Sequence, residues 1–393
     1  MFSRTALLLL LPGLLVGGVR PVGPGQRYRT PCEAIRAAAD GDVVEIDAAG
    51  DYTGDVCAFS PARLTLRGVH GRPRLDAGGR VAAGKAIWVI GGGEVTVENI
   101  EFSGARSADR NGAGIRFEGR RLTVRNCVFR RNENGILTWN DPLSSLLVEY
   151  SEFDSNGHGD GYSHNIYVGK IAEFTMQFCW SHDVREGHLV KSRAALTNLL
   201  YNYFDTGAGT GSYEVNLPEN GAGLLLGNLI VQRGSTHNPA VLAAGEEAAA
   251  PRAETSLRVI HNTFVNLGPA DAVFLRIGRG GPRAPQLVNN VFLGPGAVTN
   301  PALALPPGNE TAPAPPALEP GRFEPLLRGL KPVLAPLPEE LTPRFEYRHP
   351  ACGARRASAL RPGAFDVAAG GSASLPGLPA RCAGSGVALR GND

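Results

Sequence analysis

The feature that most constrains this chain is a repeat. Six fragments share one shape, a short β-rich run that passes a polar position and ends in Phe: VTVENIEF (95–102), LTVRNCVF (122–129), LLVEYSEF (146–153), LTNLLYNYF (196–204), LRVIHNTF (257–264) and QLVNNVF (286–292). Two weaker copies are FTMQFCWS (174–181) and GLLLGNLI (223–230). The closing positions step by 27, 24, 28, 23, 26, 34 and 28 residues. A period in the twenties without a 3.6-residue pattern indicates a solenoid, and the apolar alternation makes it a β-solenoid. A second strand is expected about a dozen residues after each fragment: GIRF (114–117), GILTW (135–139), NIYV (165–168), HLVK (188–191), YEVN (213–216), AVLA (240–243) and VFLR (273–276). One coil cannot bury its inward face alone, so coils must stack and pair their backbones with those above and below. Asn recurs near the corners (Asn99, Asn126, Asn202, Asn228, Asn262, Asn290). It tolerates left-handed backbone and bonds neighbouring main chain, so these residues read as structural.

Composition narrows the function. Gly (51) and Pro (30) fit tight turns between short strands. The 39 basic and 37 acidic residues nearly cancel, which excludes a field able to grip nucleic acid or an anionic membrane. An apolar run from Ala6 to Val19 behind a single basic residue is too short to span a bilayer comfortably and reads as an export signal within 1–22. An uncleaved anchor is the alternative. The cysteines agree with a secreted or periplasmic location: Cys32 with Cys57 and Cys352 with Cys382 are candidate disulfides. Cys127 and Cys179 fall two windings apart and read as buried free thiols. No CxxC spacing suggests zinc. Residues 301–345 are rich in Pro and Ala, cannot donate to a ladder, and read as a strap or linker. A closing segment (346–370) and a loose tail (371–393) are expected to follow.

The unusual chemistry lies in 154–221, which holds four of the eight His and two of the four Lys (Lys170, Lys191). Second strands of three consecutive coils present His164, Asn165 and Tyr167, then His188, Lys191 and Arg193, then Glu214 and Asn216. Arg116, on an earlier second strand, joins Asn165, Glu214 and Asn216 as an expected substrate contact. Strict alternation puts His188 and Lys191 on opposite faces, so one must lie past a strand end or at a bulge. Asp160 reads as a turn residue, and Asn309-Glu-Thr fits a glycosylation sequon.

The repeat resembles the right-handed parallel β-helix of the pectate-lyase-like superfamily over roughly 40–300, with the solenoid domain set at 30–300. That resemblance implies a single-stranded, all-β, right-handed parallel β-helix. It also implies an N-terminal helical cap at 31–46 (Ile35, Ala38, Ala39), a final strand at RPGAFD (361–366), and a polar face that binds a sugar chain. Glu186-x-x-x-Val190-Lys191-Ser192, followed by Asn202-Tyr203-Phe204, resembles the family of alginate lyases and chondroitinase B. This implies Lys191 as catalytic base, Glu186 as a metal ligand and calcium as cofactor. The family's next element, Arg-His-Gly, is matched here by Asn216-Leu217-Pro218. The expected activity is β-elimination on an acidic polysaccharide by a monomer, with His164, His188, Tyr167 and Arg193 completing the catalytic set. Two other readings stand beside it: a non-catalytic glycan-binding or structural β-helix, and a hydrolase, since Gly157-His158-Gly159 resembles one polygalacturonase motif.

Overall fold

The computed structural model describes residues 17–365, apart from 235, 328, 332 and 357–360, together with 379 and 382. The chain winds into a parallel β-solenoid of three long sheets, with 11, 10 and 10 strands. One winding consists of Glu94–Glu98 in sheet I, Glu101–Ser103 in sheet II and Ala113–Phe117 in sheet III. The next is Arg121–Arg125, Val128–Arg130 and Asn134–Thr138. Each winding therefore has three strands where the sequence pattern suggested two. Every repeated fragment bends once, because the residue at its middle takes a positive φ: Asn99 (57°), Asn126 (53°), Tyr150 (51°), Phe178 (54°), Tyr201 (56°), Gly227 (68°), His261 (51°) and Asn289 (57°). That bend sends the fragment from sheet I into sheet II.

The repeat register is the one the fragments imply. Phe102, Phe129, Phe153, Ser181, Phe204, Ile230, Phe264 and Phe292 pair in sequence down sheet II. Their side chains fill the interior. Phe102, Phe129 and Phe153 stack at 5.0 and 4.9 Å, close to the strand spacing itself.

Beside this stack runs a polar ladder. Asn202, Asn228, Asn262, Asn290 and Asn309 occupy one inward position of successive windings. Each carboxamide oxygen accepts from the backbone and side-chain N–H of the preceding member, and each Nδ2 donates back to a main-chain carbonyl. Cys127, Ser151 and Cys179 hold the same position earlier in the chain. Both thiols are buried, and burial pushes Cys127 up to about 12. Asn309, the residue of the sequon, has its amide tied to Leu287 and Pro306 carbonyls within the ladder.

Several boundaries differ from expectation. Val19–Val22 pairs with Val43–Asp47 as the first strand of sheet I, so the last four positions of the expected leader belong to the solenoid. Residues 1–16 lie outside the described residues. One short helix, Pro31–Ala37, stands where the helical cap was expected, in the connection after that first strand. Pro31 opens it and Glu33 accepts from the Thr30 N–H. Cys32–Cys57 and Cys352–Cys382 are both disulfides. The winding continues past residue 300: Ala297–Asn300 and Glu310–Ala312 add to sheets III and II, because the prolines at 306 and 307 flank the last strand instead of interrupting it. RPGAFD forms no strand over its described residues 361–365. Gly363 and Ala364 instead donate to Asn289 and Thr263, seating Phe365 against Phe323. Of the expected tail, only Pro379 and Cys382 are described, and the disulfide ties Cys382 down.

The strap positions the site by elimination. Leu318, Phe323, Leu326, Leu330 and Tyr347 cover the outer side of sheet II from Tyr203 onward. Leu341, Leu337 and Phe345 cover the stacked rings Tyr150, Phe178 and Tyr201. Neither group reaches the outer wall of sheet III. No helix among the described residues is long and apolar enough to cross a membrane.

The ladder makes a direct prediction. Asn228→Ala strands the buried Leu199 carbonyl and Asn202 N–H, each worth about 1–3 kcal/mol unsatisfied. Urea unfolding should show a loss of about 2–6 kcal/mol by that same bookkeeping. An unchanged midpoint would remove the ladder from the stability account.

Candidate active site

Sheet III alternates. Ile115, Ile136, Ile166, Val190, Val215 and Leu242 face the core. Their neighbours face outward and pair in one column: Arg116, Leu137, Tyr167, Lys191, Asn216, Ala243 and Arg276. Tyr167, Lys191 and Asn216 thus sit on three successive windings, brought together from 49 residues of chain by backbone pairing alone.

The histidines lie in front of their strands. His188 precedes Val190–Ser192, which resolves the parity conflict with Lys191. His164 stacks on His188 at 4.5 Å and on Tyr167 at 5.5 Å, and Tyr213 meets His188 edge-on. The His188 backbone N–H donates to His164 Nδ1 at 3.0 Å, and the Tyr213 N–H donates to His188 Nδ1 at 3.4 Å. With Nδ1 accepting, each neutral ring carries its proton on Nε2. Burial, then the neighbouring His188, Lys191 and Arg193 charges, holds His164 well below its ordinary value. Burial and Lys191 lower His188 to about 3. Neither imidazole offers a free lone pair, so each presents only its Nε2–H as a hydrogen-bond donor, and neither ring suits the expected role of base.

Arg193 organises the charges. Its Nε donates to Tyr167 Oη at 2.9 Å, Nη1 to Glu219 at 2.8 Å and Nη2 to Glu247 at 2.5 Å. Lys191 Nζ donates to Glu247 at 3.0 Å and lies 5.9 Å from the Tyr167 ring centre. Lys170 reaches Glu219 at 3.2 Å. Burial opposes the charge of Glu247, yet Arg193 and Lys191 hold its carboxyl below the usual range. The wall is therefore a nearly balanced cluster of three cations and two carboxylates around one tyrosine.

Other expected residues go elsewhere. Asn165 faces inward and is fully buried. Its oxygen accepts from Asn156, and its Nδ2 donates to Phe153, Ser181 and His182, which ends its candidacy as a substrate contact. Glu214 is also inward, 1% exposed, bonded by Thr206 at 2.6 Å and Gln232 at 3.4 Å. Burial holds its carboxyl well above the usual range. Both corrections have one cause: each residue stands immediately before its sheet III strand, at the corner, where strand alternation no longer sets the direction of the side chain. Arg116 shares the outward column two windings before Tyr167, where it pairs with Glu118 at 3.0 Å and lies 5.0 Å from the exposed Trp139 ring. Asn216 is 1% exposed with its Nδ2 unpartnered. Gly157-His158-Gly159 lies on the loop before sheet III, with His158 3.4 Å from Glu133.

Glu186 does not fit calcium. It sits in a turn at positive φ with His237 3.9 Å away, and calcium needs six to eight oxygens. Among the described residues, the one grouping of candidate metal ligands is Asp154, His182 and Asp183, on sheet II. There burial lowers His182, but Asp183 at 2.5 Å and Glu152 at 3.4 Å outweigh it and push the ring up to about 9. The His182 ring lies between these carboxylates and is held by them. Sequence reasoning missed Glu219 and Glu247 as partners of Arg193. The usable signal was register: Asn216 pairs with Ala243, so PENG and GEEA follow equivalent strands.

Comparisons with known proteins agree with this architecture. The family model described as "Right handed beta helix region" matches residues 79–221. The crystal structure of pectate lyase Pel9A is similar at a TM-score of 0.59 and 14% identity, over 90% of this chain and 97% of that one. No curated protein matches the sequence. The chain has the right-handed parallel β-helix fold, and its likeness to the pectate lyase is one of fold.

The histidine pair predicts a pH dependence. With His188 lowered from 6.5 to about 3, the folded protein binds fewer protons than the unfolded chain between those values. Stability is therefore full above pH 6.5 and falls as the pH drops below it, by up to about 1.4 kcal/mol per unit for each such histidine. His188→Gln should flatten the slope of unfolding free energy between about pH 5 and 6.5. An unchanged slope would mean that His188 titrates alike in both states.

Proposed function

We propose that this protein is an exported β-helix that cleaves a uronate-containing polysaccharide by β-elimination on the outer wall of sheet III. The observation that carries the reading is the convergence of Tyr167, Lys191 and Arg193 on adjacent windings of the face left open by the strap. Likeness in fold to a pectate lyase supports it. Two disulfides support an oxidising compartment, and the balanced charge supports a monomer without nucleic-acid partners.

Elimination requires three services. The uronate carboxylate must be neutralised so that the adjacent C5 proton becomes acidic. Arg193 supplies a fixed guanidinium for this. A base must then take the C5 proton. Lys191 does so as the neutral amine, after the incoming carboxylate displaces Glu247 and the ammonium gives one proton to solvent. As the C4–C5 double bond forms, the C4–O bond breaks and its oxygen takes a proton from Tyr167. The Tyr167 hydroxyl accepts from Arg193, so its own hydrogen is free to be given. His164 and His188 set the floor under Tyr167 and exclude water there. No step is assigned to calcium, because Glu186 does not gather the six to eight oxygens calcium needs among the described residues.

A second reading is a glycan-binding wall without turnover. The observation that favours it is the Lys191–Glu247 ion pair, which occupies the amine that a base must free. One assay separates the two. Alginate, pectate, glucuronan and glycosaminoglycans are incubated with the protein while unsaturated product is followed by ultraviolet absorbance. The lyase reading expects product on at least one polymer, and a fall of about 10²–10⁴-fold in Lys191→Ala and in Tyr167→Phe with the fold intact. Full activity in Lys191→Ala removes it as the base. Retained binding without product from any polymer leaves the wall as a binding surface.

A further inference from the structure

Beyond Lys191, the outward column places Ala243 and then Arg276. Ala243 has no side chain to fill its winding, and Arg276 folds back across the gap. Its Nη1 lies 3.5 Å from Tyr213 Oη, 3.3 Å from Asn238 Oδ1 and 3.5 Å from Glu246 Oε1. Tyr213 belongs to the winding of Asn216, so the guanidinium reaches the winding next to Lys191. All three contacts are long, and all run through one nitrogen. Among the described residues the Nε–Nη2 edge meets no polar partner, and the side chain remains 28% exposed. That edge is the geometry with which Arg grips a carboxylate through two parallel N–H bonds. Asn216 supplies an independent sign of a ligand. Its side chain is on the same column and almost wholly buried, and its Nδ2 hydrogens have no acceptor. A buried amide donor without a partner costs free energy unless something accepts from it.

We infer that Arg276, Asn216 and Tyr213 form a second carboxylate subsite, with Ala243 as its floor, one winding along the wall from the Arg193–Lys191 cluster. This rests on the proposed reading of the wall as a uronate-binding face, and it narrows the substrate class. Windings repeat at about 4.8 Å, comparable to the advance of one sugar in an extended chain. Two carboxylate subsites on neighbouring windings select a homopolymer of uronates, in which successive rings each carry a carboxylate. A polymer that alternates uronate with a neutral or amino sugar leaves the Arg276 subsite empty. Glu246, held at 3.5 Å, occupies the approach and must yield to the incoming carboxylate.

The test is binding, measured by calorimetry in the Tyr167→Phe background so that little substrate turns over. The probes are trimers of galacturonate, mannuronate, guluronate and glucuronate, with the corresponding monomers. The best trimer should bind at least tenfold more weakly to the added Arg276→Ala variant, while monomer affinity stays the same. Ala243→Leu, which fills the floor without altering any charge, should do likewise, and circular dichroism checks both folds. Equal trimer affinity with and without Arg276 overturns the subsite, as does failure of every trimer to bind the parent. If the wild-type protein produces unsaturated sugars but Arg276→Ala leaves trimer binding unchanged, the subsite falls and the lyase reading stands. If Arg276→Ala weakens binding but the wild type releases no product, the subsite stands and elimination falls.

Discussion

Parallel in-register pairing between successive windings is the interaction on which the rest of this molecule depends. A single winding exposes both strand edges and one apolar face, and neither is tolerable in water. Stacking satisfies both at once. Backbone groups pair upward and downward, while Phe102, Phe129 and Phe153 form a continuous interior. The corner still leaves polar main chain turned inward, and the Asn202–Asn309 ladder answers it with carboxamides that both accept and donate. Cys127, Ser151 and Cys179 do the same work less completely, since a thiol or hydroxyl has fewer hydrogens to give.

The same pairing creates the candidate site. Residues that face outward at equivalent positions become neighbours at the strand spacing, whatever their separation in sequence. Tyr167, Lys191 and Asn216 meet in this way, and Arg116 and Arg276 extend the column in both directions. The strap from Leu318 to Tyr347 covers sheet II, and Leu341 with Phe345 covers the neighbouring corner. The wall of sheet III is left with its charged groups facing each other across a shallow surface. Charge is not in excess there: Glu219 and Glu247 are matched against Arg193, Lys191 and Lys170. A ligand must compete with these internal carboxylates, and a carboxylated sugar is chemically suited to do so.

Alternation explains where reading the sequence worked, and the strand ends explain where it did not. The closing Phe of each fragment predicted the register because a large apolar residue at a fixed place in each repeat can only point inward. Asn165 and Glu214 were read as groove residues because they share the parity of Tyr167 and Asn216, yet both precede their strands and turn inward at the corner. Asn165 pays no penalty there, since every polar atom of its amide is bonded, and Glu214 accepts from Thr206 and Gln232 while burial holds its carboxyl well above the usual range. The two-strand winding became three because Tyr150, Phe178 and Tyr201 adopt the left-handed corner that Asn99 and Asn126 advertise. Nothing in those aromatic side chains signals it, and the stack of rings under the strap stabilises it instead.

The sequence by itself determined the solenoid, its period and the register of its interior, because each follows from residues recurring at fixed intervals. It also located the windings on which Tyr167, His188, Lys191 and Arg193 lie. Tertiary structure alone decided which side of the wall each polar residue occupies, and that Glu247 and Arg276 belong beside Lys191 and Asn216. Loops between strands vary in length, and only the backbone pairing across them states which residue of one winding stands over which residue of the next.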